Sequence, residues 1–432
     1  MSRRIIATDP TDDGKPPLVP KLRFPEFREA EGWSEKPLKA VAQINPPNKG
    51  LPESFIYIDL ESVDSGELKA KKQISRVGAP SRAQRLVERG DIVYQVVRPY
   101  QRNNLLCEFD DNDDYVASTG YAQLRAKGSN RFLYQSIHSD SFVGKVMAKC
   151  TGSNYPAINS SDLAEIQLPF PPSLAEQKKI AECLGTVDEV IAAQARKVDA
   201  LKTHKKGMMH QLFPREGETQ PCLRFPEFRD AGEWEEKRVD EMGEVLAGKA
   251  LAVTAPGPMR PYLRTKNVLD GAIVLSDVLS MPMTDAEFSR FEVLDGDILL
   301  NEGQSLELVG RASIYRGEFV GRCAMQNQLL RFRAFPSTCR EFAAQTFQKC
   351  QKDGTFAGVA TKTTSVAHLG SSRFCALLLP WPSSLPEQQR IADCLTSLDA
   401  LITAETHKVE VLKLHKRGLM QQLFPSPEEV EA

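Results

Sequence analysis

The sequence predicts a mixed α/β (α+β) chain in which two strand-rich globular segments are joined by two long helices forming an antiparallel coiled coil, with an internal pseudo-twofold repeat. Three observations carry this expectation. The six residues RFPEFR stand at 23–28 and again at 224–229, each followed by a tryptophan in an acidic setting, REAEGWSEK and RDAGEWEEK. A stretch of 39 residues at 176–214 returns at 387–425 with an offset of 211, no gap and 21 identities. Between these repeats lie short apolar runs punctuated by glycine turns, the pattern of strands.

In chain order, residues 1–20 carry two arginines with no apolar run behind them, so they read as a flexible tail rather than a secretory signal. The first globular segment, 21–175, contains a Gly-Asp-Ile turn running into a strand-like stretch (RGDIVYQVVRPY, 89–100) and closes with an apolar strand ending in proline (LAEIQLPFPP, 163–172). The helix at 176–214 has apolar residues at spacings of three and four: Ile180, Leu184, Val187, Ile191, then Val198, Leu201, Met208 and Leu212. Such spacing makes one narrow stripe, a coiled-coil seam. The second segment, 221–386, repeats the turn (GDILLNEGQSLELVG, 296–310) and the closing strand (FCALLLPWPSS, 374–384), with little other sequence in common. Its helix at 387–425 carries Ile391, Leu395, Leu398, Ile402, then Val409, Leu412, Leu419 and Leu423. Two seam positions are polar in both copies, Gln194 with Glu405 and Lys205 with Lys416; such residues weaken a coil but fix its register. Prolines bound both helices at each end. So long an amphipathic helix needs a cover for its stripe. The matching helix of the other half is the obvious cover; packing on its own globular segment is the alternative.

The totals set limits. With 432 residues, 41% hydrophobic and 26% charged, the chain has material for two or three globular domains. No stretch approaches the length of a membrane helix, so no membrane partner is expected and a cytoplasmic location is. Nine cysteines include no C-x-x-C pair, and the matched His204 and His415, Cys183 and Cys394 are explained by helix-surface and core roles; no metal is expected. Net charge is −2, but Lys69 to Arg102 holds nine Lys/Arg against Glu88 and Asp91, and Arg311 to Lys349 holds seven against Glu318 and Glu341. One basic run in each half points to a polyanion.

The LRFPEF…W opening, the GDI strand, the LP(F/W)P…EQ junction and the LFP helix end, each present twice and in the same order, resemble the specificity subunit of type I restriction-modification systems over about residues 20–425. The resemblance implies that 21–175 and 221–386 are target-recognition domains, each reading one half of a split sequence in double-stranded DNA. It implies that the helices are a spacer that docks two methyltransferase subunits, which restriction subunits then join. It also implies no catalysis by this chain and no cofactor. The duplication would offer a pair of identical partners two matching mounts, while the diverged inserts read different bases.

An enzyme reading fails on the residues. INPPNKG at 44–50 resembles the Asn-Pro-Pro-aromatic motif of adenine-N6 methyltransferases, but Asn48 stands where the stacking ring belongs. No Gly-rich turn opens a helix to cradle S-adenosylmethionine, and no P-loop occurs. DDNDD (110–114) reads as an exposed acidic loop. A coiled-coil scaffold joining two protein-binding domains is the alternative from another class, and a self-sufficient methyltransferase the third.

Base edges are read best by side chains that make paired hydrogen bonds. In the first domain the candidates are Arg98, Tyr100, Gln101, Arg102 and Asn103, with Gln95 and Asn104 beside them, and Ser153, Asn154 and Tyr155 in a second polar loop. In the second domain they are Arg264, Lys266, Asn267, Gln304, Gln326, Asn327 and Gln328. Lys362, Thr363, Thr364 and Ser365 join them, because TKTTSVAH (361–368) corresponds by offset to CTGSNYPA of the first domain. Many of these are expected to touch phosphates and set position rather than read sequence.

Overall fold

The computed structural model describes residues 17–48, 50–250, 254–363 and 366–425. It divides into two units, the first built from residues up to Ala195 and from His407 onward, the second from Arg196 to Thr406. Each unit holds one globular part and a portion of both long helices, Leu174–Leu212 and Leu385–Leu423.

In the first unit, strands Ala42–Ile44, Tyr121–Ala126, Ile92–Gln95 and Leu105–Leu106 form one antiparallel sheet in that order. A second sheet runs Gln73–Ser75, Ser54–Ile58, Tyr115–Ser118, Ala83–Val87, with its middle pair parallel. The second unit repeats this plan on different residues. Its first sheet is Gly243–Ala247, Leu329–Ala334, Ile298–Asn301, Ala312–Ile314, and its second is Leu279–Pro282, Met259–Leu263, Ala324–Met325, again with one parallel pair.

The repeated Gly-Asp-Ile turn has the same job in both. Gly90 and Gly296 each take φ +90°, a left-handed conformation that favours glycine. The next residue is a buried aspartate that accepts the backbone N–H three residues back and a two-pronged arginine from the neighbouring strand. Asp91 meets Arg125 at 2.7 and 2.9 Å, and Asp297 meets Arg333 at 2.7 and 2.8 Å. Sequence that diverges freely elsewhere keeps this pair because one fully buried carboxylate without its cation would be costly.

The RFPEFR segments are fasteners. In the first unit Arg23 donates to both oxygens of Glu176 at 2.7 and 2.8 Å, and the Trp33 indole N–H donates to the same carboxylate at 3.2 Å. Arg23 is 8% exposed and Glu176 1%, so this is an ion pair out of water, held by the first turn of the long helix. Two more guanidinium hydrogens go to the carbonyls of Ala30 and Glu31. Trp33 also sets its ring edge-on to Phe424, just past the end of the other long helix, and Leu22 N–H bonds the Gln422 carbonyl there. The second unit reproduces each contact with Arg224, Trp234, Glu387, Phe213 and the Leu223–Gln211 bond. In each unit, therefore, the start of one helix is tied to the end of the other, which makes the pairing antiparallel.

Both long helices begin at Leu174 and Leu385, two residues before the expected starts, because Ser173 and Ser384 cap them: each hydroxyl accepts the N–H of the glutamate three residues on. They end at Leu212 and Leu423, before the bounding prolines. Along the stripe both expected covers occur. Ile180 and Leu184 are buried among Phe132 and Leu133 of the first globular part and beside Leu419, Met420 and Leu423 of the other helix. Ile391 and Leu395 are placed likewise among Phe342, Trp381, Met209 and Leu212. Further along, Val198 and Val409 are buried, whereas Val187, Ile191, Leu201, Leu398, Ile402 and Leu412 are half-buried. The stripe is wettest away from the domains.

The polar seam residues are partnered. Lys205 bonds both oxygens of Asp399 at 2.7 Å, and Lys416 bonds Asp188 at 2.7 Å; with the offset of 211 these are the same pair written twice. A glutamine from each globular part donates to the same aspartate, Gln135 to Asp188 and Gln345 to Asp399, both at 2.8 Å. Lys197 reaches the buried Glu405 at 3.0 Å. Of the expected tail, residues 1–16 lie outside the described residues, while Leu18 is buried and pairs with Trp33 in a two-way backbone bridge. The ordered framework thus starts before residue 21, because an apolar side chain covers the indole. Among the described residues no helix is long and apolar enough to cross a membrane.

Glu176→Ala should leave Arg23 buried without a counter-charge and lower the stability of the first unit by about 3–5 kcal/mol. Glu387→Ala should do the same to the second. Hydrogen exchange read peptide by peptide checks this: protection should fall in the unit that carries the substitution, and equal protection in both variants and wild type would contradict it.

Candidate nucleic-acid interface

In the first unit the strand Ile92–Gln95 runs on past Val97, which bridges Ala157, and Ala157 in turn bridges Thr151. The two polar loops chosen from sequence are therefore neighbours. The turn Pro99–Gln101 is flanked by Arg98 and Arg102, both left-handed at φ +54° and +55°. For non-glycine residues such backbone costs of order 1–3 kcal/mol each and persists only where surroundings enforce it.

The enforcement comes from beneath. Buried Gln95 accepts the Asn103 N–H at 3.1 Å and donates to the Gln101 side chain at 2.8 Å. Buried Asn104 accepts the Gln95 N–H at 2.8 Å and its amide nitrogen lies 3.1 Å from His138 Nε2. His138 Nδ1 lies 2.6 Å from the Tyr134 carbonyl, which can only accept; Nδ1 therefore carries the proton, and Nε2 accepts from Asn104. Arg102 donates to the His138 carbonyl at 2.9 Å and to Asp140 at 2.6 Å. Sequence reading treated Arg98 and Arg102 alike, but the second is engaged as a strut. Asn103 sits half-buried with its side-chain oxygen 3.4 Å from Ser65 N–H. Tyr100, Gln101, Ser153 and Asn154 are exposed, and half-buried Arg98 sets its guanidinium 4.3 Å from the exposed Tyr155 ring centre.

The second unit places its own loops at the corresponding point. Gly303–Gln304 pairs with Ala367–His368, which pairs with Thr361–Lys362. Gln304 is half-buried and Lys362 exposed; Thr363 is exposed and its hydroxyl donates to the Val366 carbonyl at 2.8 Å. Thr364 and Ser365 lie outside the described residues. The support differs from that of the first unit: Glu302 takes the His368 imidazole at 3.0 Å and the Gly370 N–H at 3.2 Å. Arg264 and Lys266 share Asp277, whose carboxyl lies below its ordinary range because Lys266 hydrogen-bonds it and both cations attract it. Asn267 is buried and fastens the backbone of Arg264 and Val274. Gln326, Asn327 and Gln328 form a half-buried turn whose backbone pairs with Lys249, Leu263 and Glu302.

Two readings of charge change in three dimensions. Asp110 and Asp111 of the acidic loop pair with Arg89 and Lys71, and Asp64 and Glu67 lie near Lys69, so part of the local positive charge is neutralised at home. Asn45, the first polar residue of the methyltransferase-like motif, is left-handed at φ +48° with both amide ends occupied: its oxygen accepts the Gln123 N–H and its nitrogen donates to Ser160. His138, Asp140 and Gln135 were not singled out from sequence. His138 and Asp140 lie over 30 residues from the loop they support and Gln135 lies 53 from the Asp188 it bonds, on helices Asn130–Ser136 and Asp140–Lys149 or between them, and no local pattern marks them.

A family model described as the type I restriction modification DNA specificity domain matches residues 105–203 and 231–414, about two thirds of the chain. Two curated relatives come from Methanocaldococcus jannaschii. The putative type I restriction enzyme MjaX specificity subunit is 23% identical over 194 residues, 44% of this chain and 45% of its own length. The type I restriction enzyme MjaVIII specificity subunit is 29% identical over 119 residues, 27% of each. The matches thus span less than half of those relatives. Among solved structures, the type I restriction-modification S subunit from M. genitalium superposes with a TM-score of 0.56 at 15% identity, covering 95% of this chain and all of that one. A chain from a study of complex assembly and conformational transition of the type I R-M system gives 0.54 at 22%, covering 91% and 98%. These two share the fold.

Burial pushes the His138 imidazole down from 6.5 to about 4, and Lys416 and Arg102 add like charge against protonation. The unfolded ring takes up a proton near its ordinary value while the folded ring stays neutral, so this group's contribution is complete above about pH 6.5 and is lost as pH falls toward 4. Wild type should lose more stability between pH 7 and pH 4.5 than His138→Gln. Melting curves at both pH values test it; parallel losses would show that His138 is not titrating in that window.

Proposed function

Because the chain belongs to the family of type I restriction modification DNA specificity domains, we propose that it is the subunit that selects the DNA target for a methyltransferase and does no chemistry itself. The observation that carries this reading is one framework built twice with different polar loops at one place: Val97 beside Ala157 in one unit, Gln304 beside Ala367 in the other. A repeated mount with unlike readers fits a target of two unlike halves. Double-stranded DNA is the ligand. Exposed side chains such as Gln101, Asn154 and Lys362, and half-buried Arg98 beside the exposed Tyr155 ring, are suited to base edges or phosphates.

The way Asn45 is used supports the non-catalytic reading. Its amide is tied into the fold, and Asn48 donates to the Gln84 carbonyl instead of offering a ring to a flipped base. Two methyltransferase subunits are the natural partners of two equal mounts, since the twinned Arg–Glu–Trp fasteners hold the same helix pairing in each unit. Restriction subunits would join such an assembly in the cytoplasm. No cofactor is needed for the part played by this chain.

The experiment is exchange of residues 221–386 for the equivalent domain of a relative, followed by sequencing of methylated sites made by the assembled complex. One half of the target should change and the other persist. Change in both halves in a folded complex would end the modular reading.

The spacing of the halves should follow the helices. Deleting 191–197 and 402–408 removes one seam repeat from each and keeps both stripes in phase. Each helix shortens by about 10 Å, which is about three base pairs at 3.4 Å per pair. Methylation across duplexes that differ only in spacer length should show a shorter preferred gap and weaker binding, because one half-site is also rotated. An unchanged preference in an active complex would mean that the helices are not the ruler.

A further inference from the structure

We propose that Arg98 reads a guanine in the major groove, within the half of the target taken by the first unit, and that Tyr155 holds its guanidinium in the plane needed to do so. This rests on the DNA-reading role proposed above and adds which base and which side chain.

Four observations converge on Arg98. Its backbone is left-handed at φ +54°, a conformation that carries strain in any residue but glycine. The position is held rather than loose: the Arg98 N–H bonds the Pro156 carbonyl at 2.7 Å, and Val97 bridges Ala157. The guanidinium lies 4.3 Å from the centre of the Tyr155 ring, whose residue is 64% exposed, so the ring backs the cation while facing solvent. Finally, the Nε hydrogen is buried without a partner, and among the described residues no protein acceptor is recorded for the two terminal nitrogens. The side chain is oriented at its root, set against the Tyr155 ring, and without a protein acceptor at its tip among the described residues.

Those properties distinguish guanine from other occupants. A phosphate accepts hydrogen bonds over a wide range of directions and does not need a fork fixed in one plane. Guanine offers O6 and N7, two acceptors in the base plane, and a terminal fork of two donors matches them. Adenine would set its N6 donor against one prong, and cytosine and thymine offer no such pair of acceptors. Arg102 cannot take this part, because its terminal nitrogens already serve His138 and Asp140. The nearby exposed Gln101 and Asn154 are left to contact flanking positions.

The test uses the complex with its methyltransferase partner and a sequencing survey of methylated sites. Arg98→Gln should relax one guanine position in the first unit's half and leave the other half intact, with discrimination there falling on the order of 10- to 100-fold. Arg98→Lys should restore affinity but not that discrimination, since a point charge lacks the fork. In the wild-type target, 7-deazaguanine at the same position removes one acceptor and should weaken binding; the Arg98→Gln complex should not notice it. Tyr155→Ala leaves the strained residue in place and should lose part of the same preference, which guards against a folding defect in the Arg98 variants. An unchanged target with uniformly weaker, less salt-dependent binding by Arg98→Gln would identify a phosphate contact and overturn the proposal. Full guanine preference in Arg98→Lys would overturn the fork argument. If the wild-type complex selects no sequence at all, the broader DNA-reading role falls instead, and this inference with it.

Discussion

The buried cluster of arginine, glutamate and tryptophan at the head of each long helix is the constraint from which the rest of the architecture follows. A carboxylate removed from water requires compensation, and Glu176 receives two guanidinium hydrogens and an indole hydrogen. Those donors have fixed directions, so satisfying them settles where the opening segment lies, which face of the helix it covers and how Trp33 meets Phe424. Apolar packing alone would tolerate sliding of one helix along the other. The buried ion pair does not, and its twin at Glu387 imposes the same condition on the second unit. The Asp–Lys pairs of the seam then extend one register along the helices instead of having to choose it.

Fixing the frame in this way leaves the inserts free. Within each unit the terminal strands close on one another, Ser34–Pro37 against Gln167–Phe170 and Glu235–Arg238 against Leu378–Trp381, so each globular part leaves the helices and returns at one place. What lies between those ribbons keeps a core, the Asp–Arg pair of the turn and the few side chains that meet the helices, among them Gln135 on Asp188 and Gln345 on Asp399. The two halves have little insert sequence in common yet each has a four-stranded antiparallel sheet and a second sheet with one parallel pair, of four strands in one unit and three in the other, which is what a frame carried by a few buried polar contacts permits.

What was legible in the sequence is what repeats locally. Seam spacing gave both helices, and the duplicated RFPEFR and GDI marked the fasteners, though not what they fasten. Glu176 carries no local mark, because nothing near it in the chain says that its carboxylate is buried or that its partner lies 153 residues earlier. The repeat marks the helices from residues 176 and 387, whereas the caps Ser173 and Ser384 start them two residues earlier, inside the proline-bounded junction. Charge counting overestimated the free positive charge around 69–102, since Asp110 and Asp111 fold back on it from outside the counted window. Arg98 and Arg102 looked equivalent for the same reason: their difference is made by Tyr155, His138 and Asp140, all distant in the chain.

That last difference shows how a reading surface can be both precise and replaceable. In the first unit the loop is held by an uncharged relay from His138 through Asn104 to Gln95, in which each donor meets an acceptor and no member can be turned round without leaving another unsatisfied. In the second, a carboxylate does comparable work, with Glu302 joining His368 to the Gly370 backbone. Neither device hydrogen-bonds the Arg–Glu–Trp cluster. A changed loop and its support can therefore be exchanged together without disturbing the frame, whereas a changed loop on the old support would leave buried polar groups unpaired. The unit of exchange set by the physics is the whole insert between the ribbons, and that is also the span over which the two halves of this chain have diverged.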